Sequence, residues 1–207
     1  MEPFRTFTGV AAPLLIDDID TDAIAPVSDR SRLLEPDYAA LFFARKRRLP
    51  DGSEDPDCVF NRAPYRNASI LVTGAQFGCG SARESAVWAL TAFGIRAIVA
   101  RSFAETYREN ALRNGVLPIV LDPAERAAFE DDVVAVGGAG AFTVDLRDPH
   151  VAAPNGRRYA FTIDAADRLA LLEGTDLIAL TLRRAAAIEA WEAKTRREQP
   201  WLQDAGL

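Results

Sequence analysis

The sequence predicts an α/β protein, with a parallel β-α-β-α-β core and antiparallel strands added after it. Three observations carry that expectation. At 207 residues the chain is long enough for one sizeable core or two small ones. Between residues 70 and 121 short apolar runs alternate with helix-length segments, and strands separated by helices pair in parallel through crossovers. After residue 133 the runs shorten, with turn signals at Gly137-Gly138-Ala139-Gly140 and Pro154-Asn155-Gly156, as in antiparallel additions.

In chain order, residues 7–16 are an apolar run that reads as one strand. It ends in the acidic turn Asp17-Asp18-Ile19-Asp20-Thr21-Asp22. Residues 33–44 are mixed and include a short helix after Pro36. Residues 45–67, rich in Pro, Asp, Asn and Arg, read as a long excursion, which in a compact domain tends to be functional or disordered. The core follows as strand 70–73, helix 81–93, strand 97–100, helix 103–113 and strand 117–121. Asn114-Gly115 stops the second of these helices. Asp122-Pro123 with Glu125 starts a third, running to about residue 131. Residues 133–136, 142–146 and 158–163 read as the added strands, and 164–173 and 184–197 as closing helices. The last helix is available for an interface, and 1–207 is read as one domain.

Composition excludes several classes. Apolar residues at 49% and charged residues at 26% describe an ordinary soluble globular chain. The net charge of -6 argues against nucleic acid or an anionic membrane as partner. The basic cluster Arg45-Lys46-Arg47-Arg48 leads into Pro50-Asp51-Gly52-Ser53 and reads as a solvated loop. Met1-Glu2-Pro3-Phe4-Arg5 lacks the apolar core of a secretion signal. No run approaches the roughly 18 apolar residues of a membrane span, so a cytoplasmic location is expected. Two cysteines, Cys58 and Cys79, are too few for a disulfide scaffold or for the thiolates of a cubane iron–sulfur cluster. His150 is the single histidine, which rules out a zinc site with several imidazoles. In Asp148-Pro149-His150-Val151 it reads as a turn residue and a bystander, and that weakens any Ser-His or Cys-His hydrolase.

The informative segment is Gly78-Cys79-Gly80-Ser81-Ala82-Arg83-Glu84, between a strand and a helix. A glycine turn there lets a ligand approach the backbone, and the helix start favours an anion. Arg83 adds a fork that can grip a carboxylate through two bonds, and Ser81 adds a hydroxyl. A nucleotide phosphate loop would need a lysine before the serine. A dinucleotide fingerprint would need glycine where Arg83 stands. A G-x-S-x-G elbow is absent, as are the second cysteine and aromatic residue of a cysteine-protease signature. The same spacing also fits a capping box, with Ser81 as cap and Glu84 bonding back; both readings can hold together.

Three blocks together resemble the 3-isopropylmalate dehydratase small-subunit family, the free-standing counterpart of aconitase's C-terminal swivelling domain. They are 18–26 (Asp-Ile-Asp-Thr-Asp-Ala-Ile-Ala-Pro), 77–84 (Phe-Gly-Cys-Gly-Ser-Ala-Arg-Glu), and 102–110 running on to Asn114-Gly115-Val116-Leu117-Pro118. The resemblance extends to Phe161-Thr162-Ile163-Asp164 and to the ending 180–190. It implies a swivelling β/β/α domain over 1–207, with 27–67 a variable substrate-side excursion and 184–207 a C-terminal helix and tail. It implies a separate large subunit carrying a [4Fe–4S] cluster, none being bound by this chain. The open iron of that cluster holds the substrate hydroxyl and carboxylate as a Lewis acid.

By the same resemblance Ser81 is the catalytic base beside a substrate carboxylate. Arg83, with Gly80, Ala82, Asp20 and Thr21, contacts a small dicarboxylic hydroxy acid. The carboxylates and hydroxyl of 20–22 would order Arg83 or the subunit interface, although Asp and Thr also form ordinary turns. Cys79 reads as a small turn residue, and cap and turn roles suffice for Asn110 and Asn114. The family usually reads Gly-Ser-Ser-Arg-Glu-His, whereas this chain has Ala82 and Ser85. That leaves hydro-lyase chemistry in place and opens the substrate. The expectation is isomerisation of 2-isopropylmalate to 3-isopropylmalate in leucine biosynthesis, active only with the large subunit. The alternatives are a paralogue for citramalate, dimethylmalate or a related malate, and a non-catalytic anion-binding module.

Overall fold

The computed structural model describes residues 1–26 and 37–202; residues 33–36 of the mixed segment and the tail beyond 202 lie outside them. The chain divides into two compact units, Met1–Gly174 and Thr175–Leu207. The first holds two four-stranded sheets. The parallel sheet has the order β2 (Ala11–Leu14), β3 (Ile70–Thr73), β4 (Ala97–Val99), β5 (Leu117–Ile119). The antiparallel sheet has the order β1 (Thr6–Gly9), β6 (Phe142–Asp145), β7 (His150–Ala152), β8 (Arg158–Ala160).

The parallel strands are apolar throughout because both of their faces are covered. Alternate residues serve different cores: Ile70 and Val72 pack with Val144, Val151 and Phe129, while Leu71 packs with Ala86, Leu90 and Phe42. The first core joins the two sheets, and the second lies under helix α4 (Glu84–Phe93), whose Ala86, Val87, Ala89 and Leu90 are buried. Four short or crossover helices complete this half. They are α1 (Thr21–Ile24), α2 (Tyr38–Leu41), α3 (Ala44–Arg47) and α5 (Glu105–Arg113). The alternation read from residues 70–121 is present with element ends shifted by a few residues, the ordinary uncertainty of boundaries.

Four expectations are corrected. The run 7–16 is two strands: Thr6–Gly9 pairs antiparallel with β6 and Ala11–Leu14 pairs parallel with β3. A continuous apolar pattern does not mark where a chain passes from one sheet to another, and Pro13 is tolerated because β2 is an edge strand. Residues 133–136 are the last turn of α6 (Pro123–Val136), not a strand. Their β-branched content is overridden by position, since Phe129 and Val133, four apart, both reach the core. His150 opens β7, paired with Asp145 and Ala160, where a turn was expected. The excursion 45–67 carries α3 and two 3₁₀ turns, and it buries Phe60, Asn61 and Tyr65. Phe60 stacks on Phe43 with ring centroids 5.3 Å apart, so this segment sends side chains into the core while most of its residues are exposed.

Helix α7 (Ala165–Glu173) closes the first unit, capped by Asp164. The second unit contains α8 (Leu177–Leu182), which the sequence reading missed, and α9 (Ala185–Glu198), which it placed. Asp176 caps α8 by accepting the Ala179 N–H at 2.7 Å. Among the described residues no helix is long and apolar enough to cross a membrane.

Candidate active site

The segment 74–83 leaves the carboxyl end of β3 and turns into α4. Its course depends on two glycines. The backbone is left-handed at Gly78 (φ 77°) and Gly80 (φ 84°), a region that L side chains rarely enter. At Gly78 a Cβ would also lie 2.1 Å from Tyr107 Cγ.

Two distant segments brace this turn. From the acidic turn, the Ile19 carbonyl accepts the Gly78 N–H at 2.8 Å and the Thr21 N–H donates to the Cys79 carbonyl at 3.1 Å. Ahead of α5, the Ser102 carbonyl accepts the Phe77 N–H at 3.0 Å and the Ala104 N–H donates to the Phe77 carbonyl at 3.0 Å. Ser102 Oγ accepts the Gln76 N–H at 2.8 Å. All three sequence blocks therefore meet around one bend. Their spacing along the chain reflects a contact in space.

The capping box does not form. Helix α4 begins at Glu84, and its N-cap is Arg83 in an extended conformation with no side-chain cap. Ser81 lies ahead of the helix because its carbonyl accepts the Thr21 hydroxyl at 2.8 Å, which holds the turn open after Gly80. Among the described residues, no acceptor is paired with the backbone N–H of Gly80, Ser81 or Ala82. Together with the uncapped first turn of α4, they form a concentration of unpaired donors suited to an anion.

Ser81 and Ala82 are exposed, so the bend presents its hydroxyl to solvent. Arg83 is half-buried; its Nη1 pairs with the Asp22 carboxylate, and its Nη2 donates to Ser81 Oγ at 3.4 Å. Asp20 and Thr21 are engaged internally. Asp20 Oδ1 accepts the Ala23 N–H at 2.6 Å and caps α1, and Thr21 is 1% exposed. Asp22 was the residue whose contact the sequence did not single out; the Asp-Thr-Asp run holds the signal without saying which side chain faces Arg83.

Other reactive groups are elsewhere or muted. Burial, then the Asp20 and Asp18 carboxylates, push the Cys79 thiol pKa up, which keeps it protonated and a poor nucleophile. Cys58 is buried. His150 faces Asp148 and Arg158 in the antiparallel sheet. Among the described residues no group of three His, Cys, Asp or Glu could hold a metal ion. Ser85 and Tyr107 are buried, and among the described residues neither hydroxyl has a partner; burial pushes the Tyr107 pKa up. A cleft of about 590 Å³ lies by Leu15, Ile16, Val59 and Tyr65, and no residue of the 76–83 bend lines it.

A two-sheet α/β unit whose glycine bend carries Ser-x-Arg-Glu defines a class of domain. Residues 1–124 match the aconitase C-terminal domain family, and residues 178–205 match the C-terminal domain of the 3-isopropylmalate dehydratase small subunit. The chain is 48% identical to a 3-isopropylmalate dehydratase small subunit of Cupriavidus necator, over 98% of both chains. It is 45% identical to the one of Rhodospirillum centenum, over 97% of this chain and 98% of that one. A crystal structure of 3-isopropylmalate dehydratase from Methanocaldococcus jannaschii superposes with a TM-score of 0.61 at 25% identity, covering 89% of this chain and 99% of that chain. The chain belongs to the 3-isopropylmalate dehydratase small subunit family.

Proposed function

We propose that this chain, residues 1–207, is the small subunit of a heteromeric hydro-lyase that isomerises 2-isopropylmalate to 3-isopropylmalate in leucine biosynthesis, in the cytoplasm. One observation carries the assignment to the site. The bend presents Ser81 Oγ and Arg83 Nη2 side by side, 3.4 Å apart, on the exposed face of a chain whose family is a dehydratase subunit.

Ser81 Oγ takes the proton from the carbon beside a substrate carboxylate. The hydroxyl leaves the adjacent carbon as hydroxide, giving an alkene; hydroxide then adds to the carbon that gave up the proton, and Ser81 returns its proton to the carbon that lost the hydroxyl. A serine hydroxyl is a weak base in water, so its anionic form must be favoured locally. In this reading the Arg83 guanidinium, 3.4 Å from Ser81 Oγ, and the N–H groups of Gly80, Ser81 and Ala82, which meet no acceptor among the described residues, favour that form, and they strengthen when water is excluded. The same donors suit a substrate carboxylate. Asp20 and Thr21 serve the site by fixing α1 and the bend.

The chain's own residues do not fit an iron–sulfur cluster, having two cysteines where a cubane needs three or four thiolates. As the family resemblance implies, a [4Fe–4S] cluster on a partner large subunit would supply the Lewis-acid chemistry at the leaving hydroxyl. The test is anaerobic reconstitution of the purified chain with a cluster-bearing large subunit. The chain alone should be inactive, and the pair should turn over 2-isopropylmalate in preference to citramalate and dimethylmalate. Turnover by the isolated chain, or a preference for another malate, overturns the assignment.

A further inference from the structure

Resting on that reading of the bend, we infer that Asp22 is a positioning residue that aims Arg83 at Ser81. The three side chains of Asp20-Thr21-Asp22 have separate partners. Asp20 caps its own helix, Thr21 holds the Ser81 carbonyl at 2.8 Å, and Asp22 pairs with Arg83 Nη1 across 61 residues of sequence. The other arm of the same guanidinium reaches Ser81 Oγ at 3.4 Å. An arginine side chain loses much rotamer freedom when it is fixed. With one arm tied to Asp22, the planar fork leaves its second arm directed at the hydroxyl.

The pair is poorly placed to hold the fold together. The Asp22 side chain is 50% exposed and that of Arg83 26%, and ion pairs in contact with solvent contribute little to stability. What the contact does supply is direction. Asp22 sits on α1, whose cap is Asp20 and whose Thr21 is buried against the bend, so the carboxylate that aims the arginine is itself on a fixed element. This is the arrangement by which a supporting group holds a reacting one in place.

The test uses the reconstituted two-subunit enzyme with Asp22→Asn, Arg83→Lys and the double variant, measuring kcat and KM for 2-isopropylmalate. Asp22→Asn should lower kcat at least tenfold with KM changed less than threefold, while the thermal midpoint and co-purification with the large subunit stay as in wild type. A lysine carries a point charge on a flexible stem and lacks the fixed planar fork that links Asp22 and Ser81 Oγ through two arms. Adding Asp22→Asn to Arg83→Lys should therefore cost less than threefold. An unchanged kcat in Asp22→Asn, a fully additive loss in the double variant, or loss of assembly in Asp22→Asn overturns the inference. Should Arg83→Lys and Ser81→Ala both keep wild-type kinetics, the bend itself is not the reacting site. Should those two fail and Asp22→Asn behave as wild type, only the positioning role is lost.

Discussion

The first unit uses a carboxylate, a guanidinium and a hydroxyl together in two places, to opposite ends. In the antiparallel half, buried Asp132 on α6 accepts the hydroxyl of Tyr159 on β8 and faces Arg157 Nη1 at 3.4 Å. In the parallel half, Asp22, Arg83 and Ser81 meet at the surface. The groups are of similar kind; burial of the carboxylate and the hydroxyl separates them, since Asp132 and Tyr159 are buried whereas Arg157 is exposed. Tyr159 spends its proton on Asp132, and that bond holds the Asp132 carboxyl below its usual range. Burial, then the bond to Asp132, pushes Tyr159 up. The buried Asp132–Tyr159 pair satisfies its own hydrogen bonds and so strengthens packing. Around Ser81, which is exposed, the neighbouring N–H groups meet no acceptor among the described residues, and under the proposed function a substrate completes the arrangement.

The sharpest way to break this contrast is Asp132→Ala. It strands the Tyr159 hydroxyl in the core and should cost ~1–3 kcal/mol, read from denaturant midpoints, with kcat of the reconstituted enzyme unchanged. A fall in kcat at full folding would make the antiparallel trio chemical after all. The same site should show in acid. A carboxyl whose folded pKa is depressed contributes its stability above the unfolded pKa and loses it as pH falls through the folded value. Asp132→Asn keeps an acceptor for Tyr159 and removes the titration, so its stability should fall less than that of wild type as pH drops from the ordinary carboxylate range to below it. A parallel acid limb in both proteins would contradict this.

A smaller effect on stability, with a larger one on activity, is expected at the other trio. Thr21→Val keeps the buried volume and deletes the bond to the Ser81 carbonyl, costing ~1 kcal/mol. Because that bond sets where Ser81 stands, kcat should fall more than the thermal midpoint implies. If activity tracks only the folded fraction, Thr21 is a core residue and no more.

The parallel core was legible because strands buried on both faces read as unbroken apolar runs, as at residues 70–73, and because Asn114-Gly115 and Asp122-Pro123 are strong stop and start signals. Residues 133–136 misled because Val-rich helix and strand look alike over four residues, and the turn of α6 that buries Val133 is a tertiary fact. The bend itself was legible, and the chemistry proposed for it rests on Gly80, Ser81 and Arg83 lying within four residues of sequence. Its supports were not. The Thr21 bond spans 60 residues, and no local signal distinguishes an Asp that caps its own helix, as Asp20 does, from one that reaches Arg83. The capping box did not form either: Arg83, not Ser81, is the N-cap, and the Ser81 carbonyl accepts the distant Thr21 hydroxyl.

The most direct measurement is the activity of Ser81→Ala assembled with a cluster-bearing large subunit. Removal of a general base costs ~10²–10⁴-fold in rate, and a loss of that size is expected with thermal midpoint and co-purification equal to wild type. Turnover within twofold of wild type would contradict a proton-transfer role for the Ser81 hydroxyl.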